Sequence, residues 1–151
     1  MTSTVLAIIG CALLARTAAS QLQPTRSSTH PMIGFHYGAP LKWSGVLAIS
    51  LPTRAKDTEG FVAVEPGIGG WRASLGYLRI TGDLGSGYVT RTTVLYTGNR
   101  AWRAPAQATF LGFEVQYMPL FALGARFGAF TRVRGEGKRR GLFTADLSLM
   151  L

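Results

Sequence analysis

Thiols, imidazoles and acids are scarce in this sequence. Its 151 residues include one cysteine, two histidines and seven Asp or Glu residues, against sixteen Lys or Arg. A single thiol, Cys11, excludes a disulfide framework within the chain. With only His30 and His36 as imidazoles, nothing has the spacing of a zinc site, and no metal or cofactor is expected. Charged residues make up 15%, well under the roughly 25% usual in soluble domains. Nor does any apolar run reach the roughly 18 residues from which a transmembrane helix is read.

The clearest apolar run, Val5 to Leu14, has the length of a signal-peptide core, and small residues Ala18, Ala19 and Ser20 follow it. Residues 1–20 are expected to be an export signal cleaved after Ser20, although no Lys or Arg precedes the run. Cys11 would leave with it, so the mature chain would hold neither a thiol nucleophile nor a thiolate ligand. Residues 21–31, "QLQPTRSSTHP", are polar and proline-bounded and read as a flexible leader. That leaves 32–151 as one domain.

What the domain does have is alternation. In "LKWSGVLAISL", Leu41, Trp43, Gly45, Leu47, Ile49 and Leu51 share one face, while Lys42, Ser44, Ala48 and Ser50 share the other. The same beat runs from Trp71 to Ile80, Tyr88 to Thr97, Thr109 to Met118, Phe121 to Arg132 and Gly141 to Leu151. A shorter piece begins at Ile33. The segment from Gly60 is less regular and holds Pro66, which predicts a strand end or bulge there. Gly69 and Gly70 predict a tight hairpin turn, and "YMPL", Tyr117 to Leu120, predicts another. These two turns are three connections apart, whereas short turns confined to one end would be an even number apart, so either one strand assignment is wrong or one external loop is short.

Strands of about ten residues exceed the five or six common in soluble sheets and match the 9–11 that cross a bilayer at a tilt. The face opposite the bulky residues is rich in Gly, Ala and Ser, which suits a crowded interior better than a water-facing surface. On that face Glu114, Arg126 and Asp146 lie mid-strand on three successive segments, with Arg72 and Arg91 as further candidates for an interior ion-pair network. The alternative is that they are unrelated solvated surface charges. Trp43, Trp71, Tyr88, Tyr96 and Tyr117 fall near strand ends, where membrane barrels carry interfacial aromatics.

Taken together, the leader, the long alternating strands, the small-residue face and the alternating last segment resemble small bacterial outer-membrane β-barrels over Ile33 to Leu151. The resemblance implies an all-β, antiparallel up-and-down transmembrane barrel of eight strands with a side-chain-filled lumen. It also implies a lipid bilayer and the outer-membrane assembly machinery as partners, and a location in the bacterial outer membrane. In that class the last strand ends in an aromatic residue; here Leu147, Leu149 and Leu151 keep the alternation but the end is Leu. The alternative is an exported soluble barrel of the lipocalin or streptavidin type, periplasmic or secreted, binding a small hydrophobic ligand in an apolar cavity.

The chemistry-bearing residues point away from catalysis. Lipid A deacylases of similar size carry a His-x-Ser pair on late strands, but no His follows His36, which reads as a packed polar residue of the first strand. Glu65 and Asp83 read as loop or strand-end carboxylates without visible partners. "GIGG" and "GDLGSG" lack the Lys-Ser/Thr of a phosphate loop and read as turns. The basic run "RVRGEGKRR", Arg132 to Arg140, lacks interleaved aromatics, and export removes the chain from nucleic acid. At a membrane interface it would meet anionic headgroups or lipopolysaccharide. A structural or surface-interaction role, without enzymatic activity, is the expectation.

Overall fold

The alternating segments pair edge to edge until the last meets the first. A computed structural model describes residues 29–55, 57–81, 86–120, 123–136 and 140–150. It contains β1 (Pro31–Gly38), β2 (Lys42–Pro52), β3 (Thr58–Gly67), β4 (Gly70–Ile80), β5 (Gly87–Thr97), β6 (Ala108–Leu120), β7 (Leu123–Arg134) and β8 (Gly141–Met150). Each strand is antiparallel to its sequence neighbours, and β1 pairs with β8, closing an eight-stranded up-and-down barrel. Closure leaves no strand edge along most of the wall, which removes the usual route to edge-to-edge association. The expected signal segment and most of the leader, together with Cys11 and Asp83, lie outside the described residues. Pro31 already belongs to β1, and the Ser50 amide donates to the His30 carbonyl over 2.9 Å.

An even strand number puts both chain ends at one rim, the terminal rim, with the β2–β3, β4–β5 and β6–β7 connections. The far rim carries β1–β2, β3–β4, β5–β6 and β7–β8. The β3–β4 hairpin turns through Ile68 and Gly69, while Gly70 opens β4 at φ 148°, a value suited to a residue without Cβ. This turn is at the far rim and the short β6–β7 connection at the terminal rim, as the odd spacing requires.

Two local expectations need correction, and a third holds. "YMPL" is not a turn: β6 continues to Leu120, and the pairing with β7 shifts register between Tyr117 and Leu120. Pro66 is the penultimate residue of β3, in keeping with the expected strand end, and β2–β3 pairing skips from Ser44↔Gly67 to Leu47↔Val64. The ladder is interrupted where proline has no N–H to give. Leu41 does not share the outward face with Trp43: Lys42 takes a left-handed φ of 64°, which breaks the beat and turns Leu41 into the interior.

The interior is stratified. Toward the terminal rim, Met32, Val46, Ala48, Phe61, Ala63, Leu78, Val89 and Met118 form one apolar layer. Toward the far rim, Leu41, Leu95, Ala108, Phe110, Phe130 and Leu142 form another. Inward glycines make the room. A Cβ on Gly112 would stand 2.4 Å from the Phe130 ring, and one on Gly128 would stand 2.6 Å from it. Between the apolar layers sits a polar one.

Candidate functional site

The polar layer follows from strand parity. Outward Val62 and Val64 force Phe61, Ala63 and Glu65 inward; the same rule buries Arg72 on β4, Arg91 and Thr93 on β5, Glu114 and Gln116 on β6, Arg126 on β7, and Asp146 and Ser148 on β8. Three guanidinium groups and three carboxylates share this layer, so its formal charges cancel. Burial removes the hydration of each, and only mutual pairing offsets that loss.

Arg126 is the hub. Its two terminal nitrogens donate to the two Glu65 oxygens over 2.6 and 3.0 Å, a bidentate fork, while Nε donates to Asp146 Oδ2 over 2.9 Å. Arg72 donates to the same Asp146 oxygen over 2.8 Å and to the Ala39 carbonyl over 3.2 Å. It also lies 3.6 Å from Glu65 and 3.4 Å from Glu114. Glu114 accepts from Thr93 over 2.8 Å and has Arg91 Nε at 3.6 Å. Arg91 donates to Gln116, which passes the chain on to Ser148 over 2.9 Å. Arg91 also lies over the Phe61 ring, 5.7 Å from its centroid, tying the polar layer to the apolar one beneath.

All five residues expected in an interior network are in this layer. The corrected one is Glu65: it is neither a loop carboxylate nor without partners, but a centre of the network, 96% buried. Besides Arg126 it accepts from Ser44 Oγ over 2.5 Å, and its Oε2 lies 3.0 Å from His36 Nδ1. Parity with Val62 and Val64 was the signal for it; Pro66 obscured that signal.

Ser44, Glu65 and His36 do not form a nucleophile triad. Activation requires the imidazole to stand between hydroxyl and acid, whereas here the carboxylate stands between them. Among the described residues no group of three His, Cys, Asp or Glu side chains is placed to hold a metal ion.

The outward face is the chemical opposite. Phe35, Leu47, Ile49, Val62, Val64, Leu75, Leu111, Phe113, Phe127 and Leu147 are exposed around the wall, and Phe143 is 84% exposed. Trp43, Trp71 and Tyr96 stand toward the far rim, with Tyr88 and Tyr117 paired across β5 and β6 toward the terminal rim. Two far-rim pairs are in contact: Tyr37 with Trp43, ring centroids 4.6 Å apart, and Trp71 with Tyr96, 6.1 Å apart. Tyr37 is an addition to the expected aromatic set. Comparison with known proteins supplies no relative: no family model, no curated protein and no solved structure matches the chain.

Proposed function

We propose that the chain is a transmembrane β-barrel of a bacterial outer membrane, plugged by its own side chains, with a structural or surface-interaction role and no enzymatic activity. The observation that carries this reading is the inversion of polarity: six charged side chains fill the barrel centre while the wall presents large apolar ones. In water, exposing that wall would be costly, at roughly 25 cal/mol for each Å² of apolar surface. In a bilayer the same wall is matched to its solvent.

Dimensions agree. From Tyr88 to Tyr96 on β5, eight residues span about 27 Å of strand. A tilt of 35–45° shortens that to about 20 Å, comparable to the roughly 25 Å apolar band of outer-membrane barrels. A soluble ligand-binding barrel requires an apolar cavity at its centre, where this one has Arg72, Arg126, Glu65 and Glu114.

The test is extraction and gel mobility. The mature chain should require detergent for solubility and migrate differently on gels before and after boiling. Partition into buffer without detergent, with identical mobility in both states, would refute the membrane reading.

A further inference from the structure

Among the described residues, the basic excess of this protein lies at one rim. The terminal rim balances Arg54 and Arg79 against Asp57 and Glu59, and the polar layer balances its own charges. The described far-rim connections and strand ends carry Lys42, Arg100, Arg103, Arg132, Arg134 and Arg140, opposed among the described residues by Glu136 alone. These described far-rim residues carry a net +5 of the chain's formal charge of +9. Among the described residues, Lys42, Arg100, Arg134 and Arg140 make no ion pair.

Beneath this rim the wall is not smooth. A groove of about 600 Å³ crosses the outward faces of β6, β7 and β8, with Phe113, Phe127 and Phe143 beside the small Ala129 and Ala145. Its upper lining includes Trp102 and Arg103 of the β5–β6 connection, with the Arg103 guanidinium 4.9 Å from the Trp102 ring centroid. The Trp102 amide donates to the Pro40 carbonyl over 2.9 Å, fastening this connection to the β1–β2 loop. The groove also reaches the barrel seam: β1 pairs with β8 only from Gly34↔Met150 to Gly38↔Asp146, so Gly141–Ala145 have no strand partner on that side. Thr144, whose buried Oγ1 finds no hydrogen-bond partner among the described residues, contributes to the lining. An apolar trough thus ends at a fixed cation, under a basic rim, beside an unpaired backbone edge.

We propose that this groove binds one membrane lipid with a net anionic phosphate headgroup, its acyl chain lying across Ala129 and Ala145 between the phenylalanines and its phosphate held by Arg103. The inference rests on the transmembrane reading, which supplies the lipid. A guanidinium offers paired donors to phosphate oxygens, and the basic rim adds long-range attraction for the same headgroup. A soluble polyanion would use the rim but not the trough; a neutral lipid would use the trough but not the rim.

The test uses the full mature chain in phosphatidylcholine nanodiscs doped with lipid A or phosphatidylglycerol, with retained lipid read by native mass spectrometry. Wild-type protein should retain the anionic lipid in preference to zwitterionic phosphatidylcholine. Arg103→Gln should weaken that preference about fivefold, and Ala145→Trp should abolish retention by filling the trough. Arg79→Gln, at the other rim, should leave retention unchanged. Inorganic phosphate or an oligonucleotide at equal concentration should not displace the lipid. Equal retention of phosphatidylcholine, equal effects of Arg103→Gln and Arg79→Gln, or displacement by either soluble anion would each overturn the proposal. Heat-dependent gel mobility of the same samples reports insertion separately, so an inserted barrel without lipid preference refutes the site alone, whereas a chain that never inserts refutes the membrane reading with it.

Discussion

Arg126 shows what a single residue contributes here. It makes a fork with Glu65 and a third bond to Asp146 while almost wholly buried, so removing it strands two carboxylates away from water. Arg126→Met should therefore destabilise the barrel by about 3–5 kcal/mol, the cost typical of breaking a buried pair from one side. Urea unfolding from lipid vesicles, followed by tryptophan fluorescence, measures this. Exposed Arg134, replaced by Leu, should change stability by less than about 0.5 kcal/mol. Glycine gives a second contrast. At Gly112 a methyl group collides with the Phe130 ring and with the Ala129 carbonyl oxygen at 2.3 Å, so Gly112→Ala should cost about 1–3 kcal/mol. At Gly45 nothing lies within 4 Å of an added Cβ, and Gly45→Ala should be neutral or stabilising by up to about 1 kcal/mol. Equal effects at the two glycines in that unfolding assay would argue against the interior packing described.

At the scale of the strand, the membrane proposal has two faces answer to two different solvents. Mid-strand outward residues such as Phe113 and Phe127 are predicted to meet hydrocarbon, and Trp43 and Trp71 the interface. Phe113→Arg should thus cost about 2–4 kcal/mol, and Trp43→Arg closer to 0–1 kcal/mol from charge alone. Folding yield in vesicles, compared across such variants, should fall with distance from the rim. A soluble barrel would tolerate arginine at both positions, because both would already face water. Strands β6 and β7 also show where local pattern runs out. Their register shifts between Thr109 and Phe110, where Thr109 pairs with Arg134 and Phe110 with Arg132. The extra residue, Val133, is 61% exposed, and such a bulge bends the strand where it enters the basic β7–β8 connection.

For the whole molecule, the stratified interior bears on transport. A central ionic layer has buried Phe110, Phe130 and Leu95 above it and Phe61, Met118 and Leu78 below it. In planar bilayers the mature chain should give no stepwise conductance above the bare-membrane background. Porin-sized steps from a monodisperse preparation would contradict the plugged barrel. Among the described residues, the separation of charge into a neutral interior, a balanced terminal rim and a basic far rim is also a whole-molecule property, since no single connection has all of it.

Much of this was legible locally. A strand repeats every two residues, so the inward placement of Glu114, Arg126, Asp146, Arg72 and Arg91 followed from position alone, as did the outward placement of Trp43, Phe113 and Phe127. Where a local backbone feature interferes, the rule misleads: Pro66 concealed that Glu65 continues the beat of β3, and left-handed Lys42 reversed Leu41. Partnership was a different matter. Arg126 binds Glu65 across 61 positions and Arg72 binds Asp146 across 74, distances over which the strand period carries no information. Sequence by itself determined which face each side chain takes, because the pleat is a property of consecutive residues. Only the tertiary structure decided which charges meet, because that depends on how far neighbouring strands slide past one another before the barrel closes.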